Sequence, residues 1–164
     1  EISWVDWELD QDRVALLEFA RAVIALRRDH PVFRRRKFFQ GQAIYGSRVK
    51  DIGWFTPDGA EMNETHWQAP DVSTLGVFLN GEELPDRGAR GQRLVDASFL
   101  LLLNGGTEPA LFTLPGDPWA KEYELVADTG LAYVRPPGAD APSYTAGEEL
   151  SMTSRSLAVL RRRP

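Results

Sequence analysis

The sequence predicts a mostly β protein: an antiparallel β-sandwich preceded by one long α-helix. Three observations carry that prediction. Apolar residues recur at helical spacing between Gln11 and His30. Beyond Pro31 the pattern changes to short alternating segments. Turn chemistry punctuates those segments, with no helical stretch between them.

The helix is read from Val14, Leu16, Leu17, Phe19, Ala20, Val23, Ile24 and Leu26, whose three-and-four spacing makes a broad apolar stripe on one face. Asp10 is placed to cap the first-turn amides, and Arg27 and Arg28 suit the negative end of the helix dipole. Pro31 biases His30 out of helical geometry and closes the element. Strands are expected at Ala43 to Ser47, Ile52 to Phe55, Leu75 to Asn80, Ser98 to Leu103, Ala110 to Leu114, Tyr123 to Asp128, Glu149 to Met152 and Ser156 to Leu160. Pro57-Asp58-Gly59, Asn80-Gly81 and Asn104-Gly105-Gly106 supply residues that tolerate positive φ, as tight reversals require. Asp86 to Gly91 and Pro137 to Pro142 read as loops. Leu75, Val77 and Leu79 share one strand face, whereas Phe99 to Leu103 is apolar on both. That segment is expected to be a central strand covered twice. The outer face of a lone sandwich is wet, so a second covering element is implied, either the helix or a neighbouring domain.

Composition bounds the function. With 164 residues, 43% hydrophobic and 26% charged, at a net charge of -5, the chain fits one or two small globular domains. A chain near 150 residues buries roughly 68–70% of its unfolded surface, so no metal or disulfide is needed for stability. The absence of cysteine excludes thiol nucleophiles and zinc-thiolate sites and suits a reducing cytoplasm. The longest apolar runs, Ala22 to Leu26 and Phe99 to Leu103, fall far short of the roughly 20 residues that span a bilayer, and no membrane partner is expected. A pI near 5.1 argues against a phosphate-backbone binder, so no nucleic-acid partner is expected. Arg34 to Lys37 and Arg161 to Arg163 read as a solvated loop and tail.

No self-contained active site is visible. Neighbours in a strand point to opposite faces, so Glu82-Glu83 and Glu148-Glu149 cannot form a convergent pair of carboxylates. Glu64 and His66 could share a strand face, yet the only other histidine is His30, too few for a metal site. Nucleophile elbows, phosphate loops and dinucleotide fingerprints are missing, and neither a metal nor a cofactor is implied. Trp54, Trp67 and Trp119 stand near turns and read as packing residues in preference to sugar-stacking ones. Trp4 and Trp7, on a segment entering the helix, fit packing or ligand contact equally.

The opening Glu1-Ile2-Ser3-Trp4-Val5-Asp6-Trp7 resembles the N-E-[LI]-S-W-x-D-W segment of isoamylase-type glycogen debranching enzymes, and LRRDHPVFRRRKFFQG, Leu26 to Gly41, continues the likeness. Asp51 to Met62, His66-Trp67, Leu75 to Gly81, Leu100 to Asn104 and Phe112 to Pro115 resemble further landmarks of that family in the same order. One landmark departs: the family often has Asn-Ala-His where this chain has Asn104-Gly105-Gly106, which implies an altered turn.

The resemblance implies a parent of the α-amylase superfamily, glycoside hydrolase family 13, that hydrolyses α-1,6 branch linkages of glycogen or limit dextrin in the cytoplasm. It implies a division at residue 35: residues 1–35 would be the last loop and helix of a (β/α)8 barrel, and residues 36–164 the C-terminal sandwich. The family's catalytic Asp, Glu and second Asp fall upstream of Glu1, so no catalytic residue is carried over. Glu1, Trp4 and Trp7 would lie near the barrel's glucan groove, where active sites of such barrels are built. The chain opens on Glu1 and not on methionine, and is expected to be the end of something longer. The expected partners are a branched α-glucan and a barrel domain packed on the sandwich. Two alternatives stand beside this reading: a non-catalytic glucan-binding module with a tryptophan platform, and an Ig-like interaction domain.

Overall fold

The structure is a computed structural model that describes residues 4, 7–43, 48–82, 84–136 and 139–163. Helix α1 spans Gln11–Asp29, and its N-terminus is held as the sequence expects, with the Asp10 carboxylate accepting from the Arg13 amide at 2.9 Å. His30 turns into extended geometry before Pro31, and one 3-10 turn, Pro31–Arg34, carries the chain onto the sheet.

The strands are β1 Ile52–Phe55, β2 Thr74–Leu79, β3 Leu84–Arg87, β4 Arg93–Leu94, β5 Phe99–Asn104, β6 Ala110–Thr113, β7 Glu122–Asp128, β8 Tyr133–Val134, β9 Ser143–Thr145, β10 Glu149–Met152 and β11 Ser156–Arg162. A short helix, α2 Glu64–Trp67, lies between β1 and β2. The main antiparallel sheet runs β1-β2-β5-β11-β7-β8, with β9 also paired to β7. Strands β6 and β10 form a second sheet, and β3 with β4 a separate hairpin.

Several expectations need correction. Ala43 makes only an isolated bridge to Lys50, and the rest of the strand expected there lies outside the described residues. The expected loop Asp86 to Gly91 is partly strand, because Leu84 and Leu94 face each other across the hairpin and seat in a core cluster. Of the expected Pro137 to Pro142 loop, residues 137 and 138 lie outside the described residues. Asn80-Gly81 does not join paired strands, since β2 pairs with β1 and β5. Asn80 is instead fully buried, its Oδ1 accepting from the Glu82 amide at 2.9 Å. Strands β8 and β9, of two and three residues, are too short to show alternation.

The main core lies between the two sheets. Register sets Phe78, Leu100 and Leu160 side by side across β2, β5 and β11, and Phe112, Leu150 and Met152 close over them from the second sheet. Trp119 fills one end, edge-on to Phe55 at 5.0 Å and to Phe78 at 5.2 Å. It packs directly on β1, and a Cβ at Gly53 would stand 2.5 Å from its ring.

The opposite face of the main sheet is covered at one end only. Phe99, Leu79, Val126 and Val159 form a second buried cluster with Val32 from the 3-10 turn. Phe33 and His30 each stack near Phe99 at 4.7 Å. Asp96 pins this cover to the sheet: Oδ1 lies 2.7 Å from His30 Nδ1, and Oδ2 accepts from the Val32 amide at 3.0 Å. Burial is the largest influence on the Asp96 carboxyl and opposes its ionisation. Hydrogen bonds from His30 and from the Val32 and Ala97 amides together outweigh it and hold the group below the usual carboxylate range. Farther along the same face Leu101, Leu103, Val77 and Leu157 are only half-buried. The doubly apolar strand is therefore central, as expected, but its second cover runs out after Phe99.

Two measurements check this account. Replacing Gly53 with Val drives a side chain into Trp119, which Phe55 and Phe78 hold in place, and should lower stability by about 1–3 kcal/mol in denaturant unfolding. For Asp96 the folded state is the stronger acid, so its contribution is complete above about pH 4 and is lost as pH falls through the depressed value. Asp96→Asn should lower stability at neutral pH and flatten its decline in acid, read by urea unfolding at several pH values.

Candidate functional site

Trp4 and Trp7 stand clear of the sandwich, each 83% exposed. Glu1 lies outside the described residues. The β-region tryptophans do not form a platform either. Trp119 is buried, and Trp54 and Trp67 meet edge to face, 5.2 Å apart at 77°. Trp67 alone keeps about half of its surface free, at 49%.

The carboxylates are engaged in structural contacts. Glu82 bonds Arg162 at 2.9 Å, while its neighbour Glu83 lies outside the described residues. Glu148 accepts from the Thr145 amide at 2.6 Å. Glu64 and His66 do not share a strand face, because Asn63 caps a helical turn there: its Oδ1 accepts from the His66 amide at 3.1 Å, and His66 Nδ1 accepts from the Asn63 amide at 3.2 Å. Among the described residues no group of three or more His, Asp or Glu could hold a metal, and no helix is long and apolar enough to cross a membrane.

The arginine runs depart from the solvated reading in part: Arg34, Arg36 and Lys37 are exposed, as expected, whereas Arg35 and the C-terminal run are engaged. Arg161 and Arg162 belong to β11, which continues through them, and Arg161 pairs with the buried Glu124. Glu124 also takes Arg135 at 3.0 Å, and Arg163 approaches Glu122 at 3.6 Å. In the first run the Arg35 side chain is buried, 3.3 Å from Asp51 and 3.8 Å over the Phe39 ring. Each partner is distant along the chain or in an unpaired-looking context, so residue spacing carries no signal of these pairings.

Helix α1 and the sheet beside it present an apolar surface. Helix α1 contains no fully buried residue. Its half-buried Ala22, Ala25 and Leu26 line a groove against Phe99, Val126 and Val134. Leu16 and Ile24, on the other side of the helix, are 67% and 66% exposed. Together with the half-buried Trp54, Val77, Leu101 and Leu103 of the sheet, they present apolar area on both the helix and the outer sheet face. Such a surface can bind another folded unit.

The C-terminal domain model of isoamylase matches residues 51–161. Over 163 residues the chain is 42% identical to the glycogen operon protein GlgX homologs of Mycobacterium tuberculosis and Mycobacterium bovis, covering 99% of this chain and 22% of each relative. It is 24% identical to the isoamylase of Pseudomonas amyloderamosa, covering 96% of this chain and 19% of that enzyme. The chain thus spans about a fifth of the length of the curated relatives it matches. The match reaches from β1 through nearly all of β11, and so takes in the main sheet, the second sheet and the hairpin. The chain belongs to the isoamylase C-terminal domain family.

Proposed function

We propose that this chain is the C-terminal part of a glycogen-debranching hydrolase that cleaves α-1,6-glucosidic branch points of glycogen or limit dextrin in the cytoplasm. In this reading the chain has no chemistry of its own and serves to buttress a catalytic domain. The observation that carries it is the family match over residues 51–161, on a fold whose helix and outer sheet face leave apolar area uncovered. A (β/α)8 barrel is the proposed cover. Residues 1–35 are the proposed end of that barrel, and residues 36–164 the sandwich packed against it. Glu1, Trp4 and Trp7 then lie beside the glucan, and the 83% exposure of both tryptophans supports a role outside the sandwich core. The glucan-binding module is disfavoured, because a stacking platform needs coplanar exposed rings, whereas Trp54 and Trp67 stand nearly perpendicular.

The reading is tested by reducing-sugar release from a glycogen limit dextrin. The 164-residue chain alone should be inactive, and a longer protein that ends in it should be active. Leu16→Lys with Ile24→Lys should change the isolated chain's stability by no more than about 0.5 kcal/mol, since both side chains are exposed there. In the longer protein the same pair should lower thermal stability and activity together. Debranching by the isolated chain at a rate comparable with the longer protein would sink the proposal.

A further inference from the structure

Two cationic segments far apart in sequence are brought together by the fold. Arg34 to Lys37 follows the helix, and Arg87 to Arg93 makes the hairpin turn; the Arg36 amide donates to Asp86 Oδ2 at 3.2 Å. Between them lies a solvent-open cavity of about 430 Å³, within the size range of small-molecule sites. Its charged lining is Arg35, Lys37, Arg87 and Arg93 against Asp51 and Glu82.

Both carboxylates are already engaged. Asp51 holds Arg35 through Oδ2 and accepts from the Gln40 and Gly41 amides, each at 2.9 Å. Glu82 holds Arg162 at 2.9 Å. The side chains of Lys37 and Arg87 have no hydrogen-bond or ion-pair partner among the described residues, whereas Arg93 is engaged. Arg35 adds an independent sign of an incomplete polar set: its side chain is 6% exposed, yet Nε has no hydrogen-bond partner. Gln40 and Gln42 also line the cavity, and one stretch of its wall is apolar. Leu84, Pro85 and Leu94 form it, and Phe38 stands at the mouth with 94% of its surface free. In a chain of net charge -5, a cavity with surplus cations beside an apolar wall is not a general cationic surface. An α-glucan can accept hydrogen bonds from these cations but leaves their charge unneutralised, whereas an anionic ligand meets both.

We propose that this cavity is a binding site for a small phosphorylated ligand. Lys37 and Arg87 hold the phosphoryl oxygens, one as a compact point charge and the other as a fork of donors. A dianionic phosphomonoester neutralises both, which a monoanion does not. The organic part of the ligand lies against Phe38 and the Leu84-Pro85 wall. The site borders the covered end of the outer sheet face, where Leu84 and Leu94 join the second cluster, and goes beyond the structural role proposed above.

The test is calorimetric titration of the chain with inorganic phosphate, glucose 1-phosphate and adenosine monophosphate at low salt. Saturable single-site binding of at least one organic phosphate, tighter than that of inorganic phosphate, is expected. Lys37→Ala with Arg87→Ala should weaken it about tenfold or more with an unchanged melting temperature. Arg90→Ala, on the same hairpin but outside the cavity lining, should leave it intact. Phe38→Ala should weaken the organic phosphate and spare inorganic phosphate; equal affinities would overturn the assignment of the aromatic wall. No saturable binding by any of the three ligands, or equal weakening by Arg90→Ala and the double variant, would overturn the site itself.

Discussion

A strand that is apolar on both faces has to be covered twice, and β5 imposes that condition on everything around it. Leu100 and Leu102 point into the space between the sheets, where the second sheet and Trp119 complete a dry core. Phe99 points the other way and is met by Val32, Phe33 and His30. Burying a large apolar side chain contributes roughly 1.5–3 kcal/mol, so Phe99 accounts for much of the attachment of the helical segment to the sheet. Leu101 and Leu103 continue the outer row without equivalent cover. The same constraint that organises the sandwich thus leaves a surface suited to a neighbour.

Buried carboxylates fix the pieces that apolar packing alone would leave free to slide. Asp96 ties the turn after α1 to the main sheet, Asp51 gathers Arg35 and the Gln40 and Gly41 amides, and Glu124 joins Arg135 to Arg161. An isolated carboxylate in such places would be costly, and each is satisfied by cations or amides from other segments. These groups resemble catalytic acids in burial alone. Their oxygens are committed to holding the chain.

Much of the fold was legible in the residues because local rules agree there. Asp10, the apolar repeat through Leu26, and Pro31 bracket α1 within a residue of its observed ends. Alternation and turn residues located seven of the strands, and double apolarity made β5 central. Legibility failed where an element was short or a side chain's partner was remote. Strands β8 and β9 have too few residues to alternate, and Asn63 caps a helical turn where Glu64 and His66 could have shared a strand face. The Arg161 and Arg35 pairings join residues 37 and 16 positions apart. No spacing rule reaches that far.

By itself the sequence determined the fold class and the family resemblance, since each depends on residue types and their order along the chain. Tertiary structure alone decided which apolar residues stay uncovered and which charges are spent. Leu26 and Ile24 are two positions apart on one helix, yet one packs on the sheet and the other faces outward. Arg35 and Lys37 belong to one basic run, yet one is committed to Asp51 and the other faces an open cavity. Burial and charge pairing are properties of neighbours in space, and the chain's order does not contain them until the sheet has formed.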